Sequence, residues 1–195
     1  MDETDRMLRS PELMSRDDTV LLVVDVQDKL IRLIPAWRRI VWNLRRLLDA
    51  ARILNVPSLC SEQYPQGLGG TVAELATYFK NRTAKVSFSC VGCDDLRAQL
   101  ETLDRPKVLV AGIEAHVCVQ QTVLDLLGRG IQVYVAVDAV GARYDIDYQT
   151  ALRRMDSAGA TLTTTEAAMF EWCAAAGTPE FKQLSALVRE QPPTE

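Results

Sequence analysis

Histidine is almost missing: the 195-residue chain carries one, His116. A metal site built on two or more histidines is therefore excluded, and a Cys–His nucleophile pair would have to use that one ring. No apolar run approaches the roughly 20 residues of a membrane span, so no membrane partner is expected. Basic residues are not in excess. Lys and Arg number 22 against 26 Asp and Glu, a net charge of -4, and without a basic face no nucleic-acid partner is expected. No Walker-type loop and no GxGxxG follows the first apolar run, so a phosphate cradle is not indicated. Cys90-Val91-Gly92-Cys93 has the CxxC spacing, but no second pair completes a zinc site and it does not follow a first strand as a redox motif would. The five cysteines are an odd set, which argues against a disulfide framework. With no secretory or transit signature in the first 17 residues, a reducing, cytoplasmic setting is expected.

What is present is an ordinary globular composition, 48% hydrophobic and 25% charged, enough for one well-buried core. We divide the chain into a loosely held N-terminal extension over 1–17, one domain over 18–189 and a flexible tail over 190–195. Thr19 to Val24 is a continuous run rich in β-branched residues, as in a strand covered on both faces. Trp37, Ile40, Val41, Leu44, Leu47, Leu48, Ala51 and Leu54 form one apolar stripe of a helix, with Arg38, Arg39, Arg45 and Arg46 opposite. Further strands are expected at 56–60, weakly at 84–89, then at 108–112, 131–137 and 160–164. Helices are expected around 96–103, from Cys118 to Gly128, at 145–158, near 166–175 and near 179–189. Strands alternating with helices predict an α/β fold, a three-layer αβα sandwich with a mostly parallel, Rossmann-like sheet of about six strands. Ligands of such sheets bind beyond the carboxyl ends of the strands.

Three chemically capable residues fall at such ends. Asp25 interrupts the apolar run Val23-Val24-Asp25-Val26; it is a general base, a helix N-cap or one half of a buried ion pair. Lys85 lies in or beside the third strand and is also readable as a solvated edge lysine. Cys118 follows the fourth strand and opens a helix, whose dipole would lower the thiol pKa; the alternative is an inert buried cysteine. Gly67-Leu68-Gly69-Gly70 reads as a flexible loop able to cover a pocket.

The segments Leu21 to Gln27, Thr83 to Ser89 and Gly112 to Val119, in that order and spacing, resemble the isochorismatase-like cysteine hydrolases. Ser61 to Gly69 and Glu114 to Thr122 look closest to the small isochorismatase-domain branch, some of whose members carry ribonuclease-like names. The resemblance implies an Asp25, Lys85, Cys118 trio that hydrolyses a small amide or other acyl substrate through a thioester. It implies a non-proline cis peptide at Ile113–Glu114, which would aim the Glu114 N–H beside that of Cys118 as an oxyanion hole. Gln27, Gln63, Tyr64 and His116 are then pocket candidates, no metal or organic cofactor is needed, and a homo-oligomer, a dimer or larger, is expected. The nicotinamidase branch uses an Asp-and-two-His metal site that one histidine cannot supply. True isochorismatases cleave a vinyl ether without needing the cysteine, so Cys118 leans the reading towards acyl chemistry. Glu114 would put a charge at the pocket mouth, selecting a cationic substrate or facing solvent. The competing readings are a non-catalytic interaction or regulatory protein that keeps the fold and, third, a ribonuclease-like activity.

Overall fold

In β1 (Thr19–Val24) every residue is buried, which requires cover on both faces of its sheet. Leu21 and Val23 pack into one core cluster, while Val20, Leu22 and Val24 pack into another. This is the two-residue alternation of a strand set between two apolar layers. The computed structural model describes residues 9–194.

β1 is joined by β2 (Ser58–Gln63), β3 (Thr83–Lys85), β4 (Lys107–Ile113), β5 (Gln132–Gly141) and β6 (Thr161–Thr163) in one sheet of order β3-β2-β1-β4-β5-β6. Every neighbouring pair is parallel. Parallel pairing demands crossovers, and helices supply them. Short helices α1 (Asp28–Ile31), α3 (Pro65–Leu68) and α4 (Ala73–Ala76) occupy the loops. The long α2 (Trp37–Leu54) covers one face with α8 (Thr165–Cys173) and α9 (Pro179–Val188). The other face is covered by α5 (Asp94–Leu103), α6 (Gln120–Leu127) and α7 (Asp145–Ser157). The result is the expected three-layer α/β sandwich. Strand order reverses at β1, which lies between β2 and β4. The crevice beyond the carboxyl ends of β1 and β4 is the topological switch point, where open sheets of this kind bind ligands.

Gly112 makes that junction possible. Its φ is +117°, and a Cβ there would lie 2.1 Å from the Val24 carbonyl oxygen. Only glycine allows the ends of β4 and β1 to approach this closely.

Three sequence readings need correction here. Arg46, read as lying opposite the apolar stripe, is buried. Its guanidinium stacks 4.3 Å over Trp42 and donates to Asn43 and the Leu187 carbonyl, because α8 and α9 close over that side of α2. The extension is not loosely held where it is described: Met14 is fully buried, its N–H donates to Glu171, and the Tyr134 hydroxyl donates to the Glu12 carbonyl. Nor is the Gly67–Gly70 stretch a free loop. It completes α3, and the Gly69 and Gly70 carbonyls accept bonds from the Gln27 side chain and the Asp28 N–H.

Candidate active site

Asp25 leaves β1 with φ at 52°, a left-handed conformation that aspartate tolerates. Its side chain is wholly buried. A carboxylate taken out of water needs donors on both oxygens. Lys85 Nζ donates to Oδ2 at 2.7 Å and Ser61 Oγ donates to Oδ1 at 2.7 Å. The Lys85 ammonium is also fully buried, which rules out the solvated edge lysine. It donates further to Gln63 Oε1 at 2.6 Å and to the carbonyls of Ser87 and Phe88 at 3.1 and 2.9 Å. The chain after Lys85 turns back to wrap the cation. β3 therefore stops at Lys85, earlier than the apolar pattern to Ser89 suggested.

Cys118 sits in a segment the sequence did not announce. The helix expected from Cys118 starts earlier, as a π turn over Ala115–Val119 that runs into α6. π turns inside helices are frequent at functional sites. The Glu114 carbonyl accepts from the N–H groups of Val117 at 3.0 Å and Val119 at 3.3 Å. In an α-helix that carbonyl would serve Cys118; here its two lone pairs are taken by the flanking residues. The Ile113–Glu114 peptide just before is cis.

The thiol of Cys118 is buried, with the residue 6% exposed. Burial, first, and then the Asp25 charge and a hydrogen-bonding contact with it push the thiol pKa well above its ordinary value, against the opposing pull of Lys85. The expected lowering by a helix dipole is corrected: loss of hydration in a site that already holds a carboxylate outweighs it.

The pocket candidates separate. Gln27 is fully buried, donating to the carbonyls of Gln63 and Gly69 and accepting from the Gln63 N–H at 2.7 Å, so it ties the end of β2 to the loop after it. Gln63 bridges Lys85 and the Val86 carbonyl. Tyr64 is 54% exposed, its ring against Gly67, and it lines a cavity of about 260 Å³ with Pro65, Lys85, Ser87 and Cys93. His116 turns to α7, its Nε2 lying 3.8 Å from Asp147. Glu114 is held by Arg143 at 3.0 Å, so its charge is neutralised and not offered to a cation.

Sequence reasoning gave Ser61 and Arg143 no part in this site and set Cys90 aside with its CxxC spacing. Cys90 Sγ lies 3.5 Å from Ser61 Oγ. Ser61 lies within β2 beside the end of β1, and nothing in the chain distinguishes it or Arg143. All five cysteines are free, and among the described residues no group of three or more His, Cys, Asp or Glu is placed to hold a metal ion.

Residues 19–167 match the isochorismatase domain. Human isochorismatase domain-containing protein 2 is 42% identical over 178 residues, 90% of this chain and 85% of that protein. The solved MAR1 ribonuclease of Caenorhabditis elegans aligns with a TM-score of 0.86 at 38% identity, covering 93% of this chain and 95% of that one. The YcaC gene product of Escherichia coli, an octameric hydrolase of unknown specificity, aligns with a TM-score of 0.83 over 92% of both chains; at 23% identity this is a likeness of fold.

Proposed function

Because the chain belongs to the isochorismatase family, we propose that it is a hydrolase of a small amide or other acyl substrate, working through a thioester on Cys118. One observation carries the reading. Side chains from the ends of β1 and β3 and from the turn after β4 meet at the switch point, where a fully buried carboxylate and ammonium face a thiol. A buried ion pair is costly as a stabilising device, so its presence beside a nucleophile supports chemistry.

Asp25 takes the Cys118 proton as sulfur bonds to the acyl carbon, and Lys85 balances the charge that moves onto sulfur. The N–H groups of Glu114 and Cys118 hold the developing oxyanion, an effect worth about 3–4 kcal/mol for one donor in comparable sites. Asp25 passes its proton to the leaving group as the acyl–nitrogen or acyl–oxygen bond breaks. Water then attacks the thioester, Asp25 takes its proton, the carbon–sulfur bond breaks and the thiol is restored as the acid departs. The trio draws on no metal or organic cofactor. A reducing, cytoplasmic setting fits the five free thiols, and no helix among the described residues is long and apolar enough to cross a membrane. The octameric YcaC structure supports a homo-oligomer here.

The test is an acyl-enzyme trap. With p-nitrophenyl acetate as the probe, peptide mass mapping is expected to find the acetyl group on Cys118, and Cys118→Ala abolishes turnover. Unchanged turnover in that variant overturns the reading. A native protein that folds, admits small alkylators to Cys118 and yet forms no acyl adduct favours the non-catalytic reading. The MAR1 name raises ribonuclease activity as a further outcome. RNA cleavage that survives Cys118→Ala and repeated purification would establish it.

A further inference from the structure

We infer that Ser61 is a positioning residue for the Asp25 base and that Cys90 sets the direction of its hydroxyl, an inference that rests on the hydrolase reading above. Ser61 pairs with Val24 across β2 and β1, the last register pair of the two strands. It holds Asp25 twice. Its carbonyl accepts the Asp25 N–H at 3.2 Å, and its hydroxyl donates to Oδ1 at 2.7 Å. Lys85 holds the other oxygen at 2.7 Å. Two donors on two oxygens stop the carboxylate plane from turning, whereas a single donor leaves that rotation open.

A hydroxyl has one proton and must be told where to send it. Cys90 Sγ approaches Ser61 Oγ at 3.5 Å as a donor. Burial and the Asp25 charge keep the Cys90 thiol protonated, so it occupies a Ser61 lone pair and leaves the Ser61 proton for Asp25. Cys90 is itself anchored, its N–H donating to Thr122 Oγ1 at 2.9 Å. Thr122 belongs to α6, which continues the turn that carries Cys118. The chain Thr122, Cys90, Ser61, Asp25 thus ties the base to the element bearing its nucleophile. Ser61 is 0% exposed and has no route to a substrate, so its effect must act through Asp25.

The test is pre-steady-state acylation by p-nitrophenyl acetate in the native protein and in Ser61→Ala, Ser61→Thr, Cys90→Ala, Asp25→Asn and the Ser61→Ala/Cys90→Ala pair, with melting curves for each. Misplacing a catalytic group by a fraction of its reach costs up to about a hundredfold. Ser61→Ala is therefore expected to lower the acylation rate by roughly ten- to a hundredfold with KM unchanged, and Ser61→Thr to restore most of it. Cys90→Ala gives a smaller loss, and the double variant is no slower than Ser61→Ala, because both act through one hydroxyl. A Ser61→Ala protein that melts normally and acylates at the native rate, while Asp25→Asn is inactive, overturns the inference and leaves the hydrolase reading standing. If Ser61→Ala does not fold, an unchanged rate in Cys90→Ala overturns it. A native protein that is never acylated on Cys118 removes the reading and the inference together.

Discussion

Cys118 is held between opposite influences: burial and Asp25 raise its pKa and Lys85 lowers it. The signs give a prediction that damage to folding cannot imitate. Iodoacetamide alkylation of native Cys118 is expected to keep rising through the alkaline range, without levelling near neutrality. Asp25→Asn removes a charge that opposes the thiolate, so alkylation at about pH 8 speeds up while acyl hydrolysis is lost. Lys85→Met removes the charge that favours the thiolate, so alkylation slows. Mapped alkylation rates decide it: equal rates in the two variants mean that the thiol does not feel the pair, and a site merely loosened would react faster in both. At this scale the sequence was informative where a residue broke a pattern. Asp25 interrupts an apolar run and so demanded an explanation, whereas Lys85 by itself read as a solvated edge lysine and stood out only through its place by a strand end and the family resemblance. Ser61 broke nothing, because a serine within a strand is ordinary, and Gln27 gave no hint that its amide would be spent on the backbone of Gln63 and Gly69.

Elements were legible in proportion to how completely they are buried. β1 and β4 are buried at every residue, so both showed as unbroken apolar runs; α2 showed as a stripe. The short helices α1, α3 and α4 carry too few residues for a helical period to register. The π turn at Cys118 rests on the nearby Glu114 carbonyl, a backbone bond that leaves no side-chain pattern to read, and β3 stops early because the following carbonyls wrap a Lys85 ammonium that Asp25, 60 residues away, holds in place. Gly112 is where element geometry meets the site, and its role is measurable. Gly112→Ala places a Cβ 2.1 Å from the Val24 carbonyl oxygen at a φ of +117°. Urea unfolding is expected to show a loss of more than about 3 kcal/mol. Gly130 also has positive φ, +77°, but nothing lies within 4 Å of its added Cβ, so Gly130→Ala should cost only about 1–2 kcal/mol, the left-handed penalty alone. Equal losses at the two positions would mean that backbone conformation, not the approach of β1 to β4, is what requires glycine at 112.

At the scale of the whole molecule, alternating strands and helices carried the architecture, and the carboxyl-end rule pointed to the edge of the sheet where Asp25, Lys85 and Cys118 lie. What the chain did not disclose was which charges would be sealed inside. Asp25 and Lys85 are both at 0% side-chain exposure, 2.7 Å apart. Breaking one half of such a pair leaves the other buried and unpaired. Asp25→Asn and Lys85→Met are each expected to lower the unfolding free energy by about 3–5 kcal/mol. Removing both charges removes the stranded ion, so Asp25→Asn/Lys85→Met should regain at least half of the larger single loss, since a buried pair is often replaceable by neutral groups at little net cost. Urea denaturation of the four proteins at fixed pH closes the cycle. A double variant that is folded, nearly as stable as the native protein and unable to acylate Cys118 would mean that the pair serves chemistry and that the fold does not depend on it. A double variant as unstable as the two single losses added together would make the pair a structural keystone. The strongest physical argument for catalysis at this switch point would then be gone.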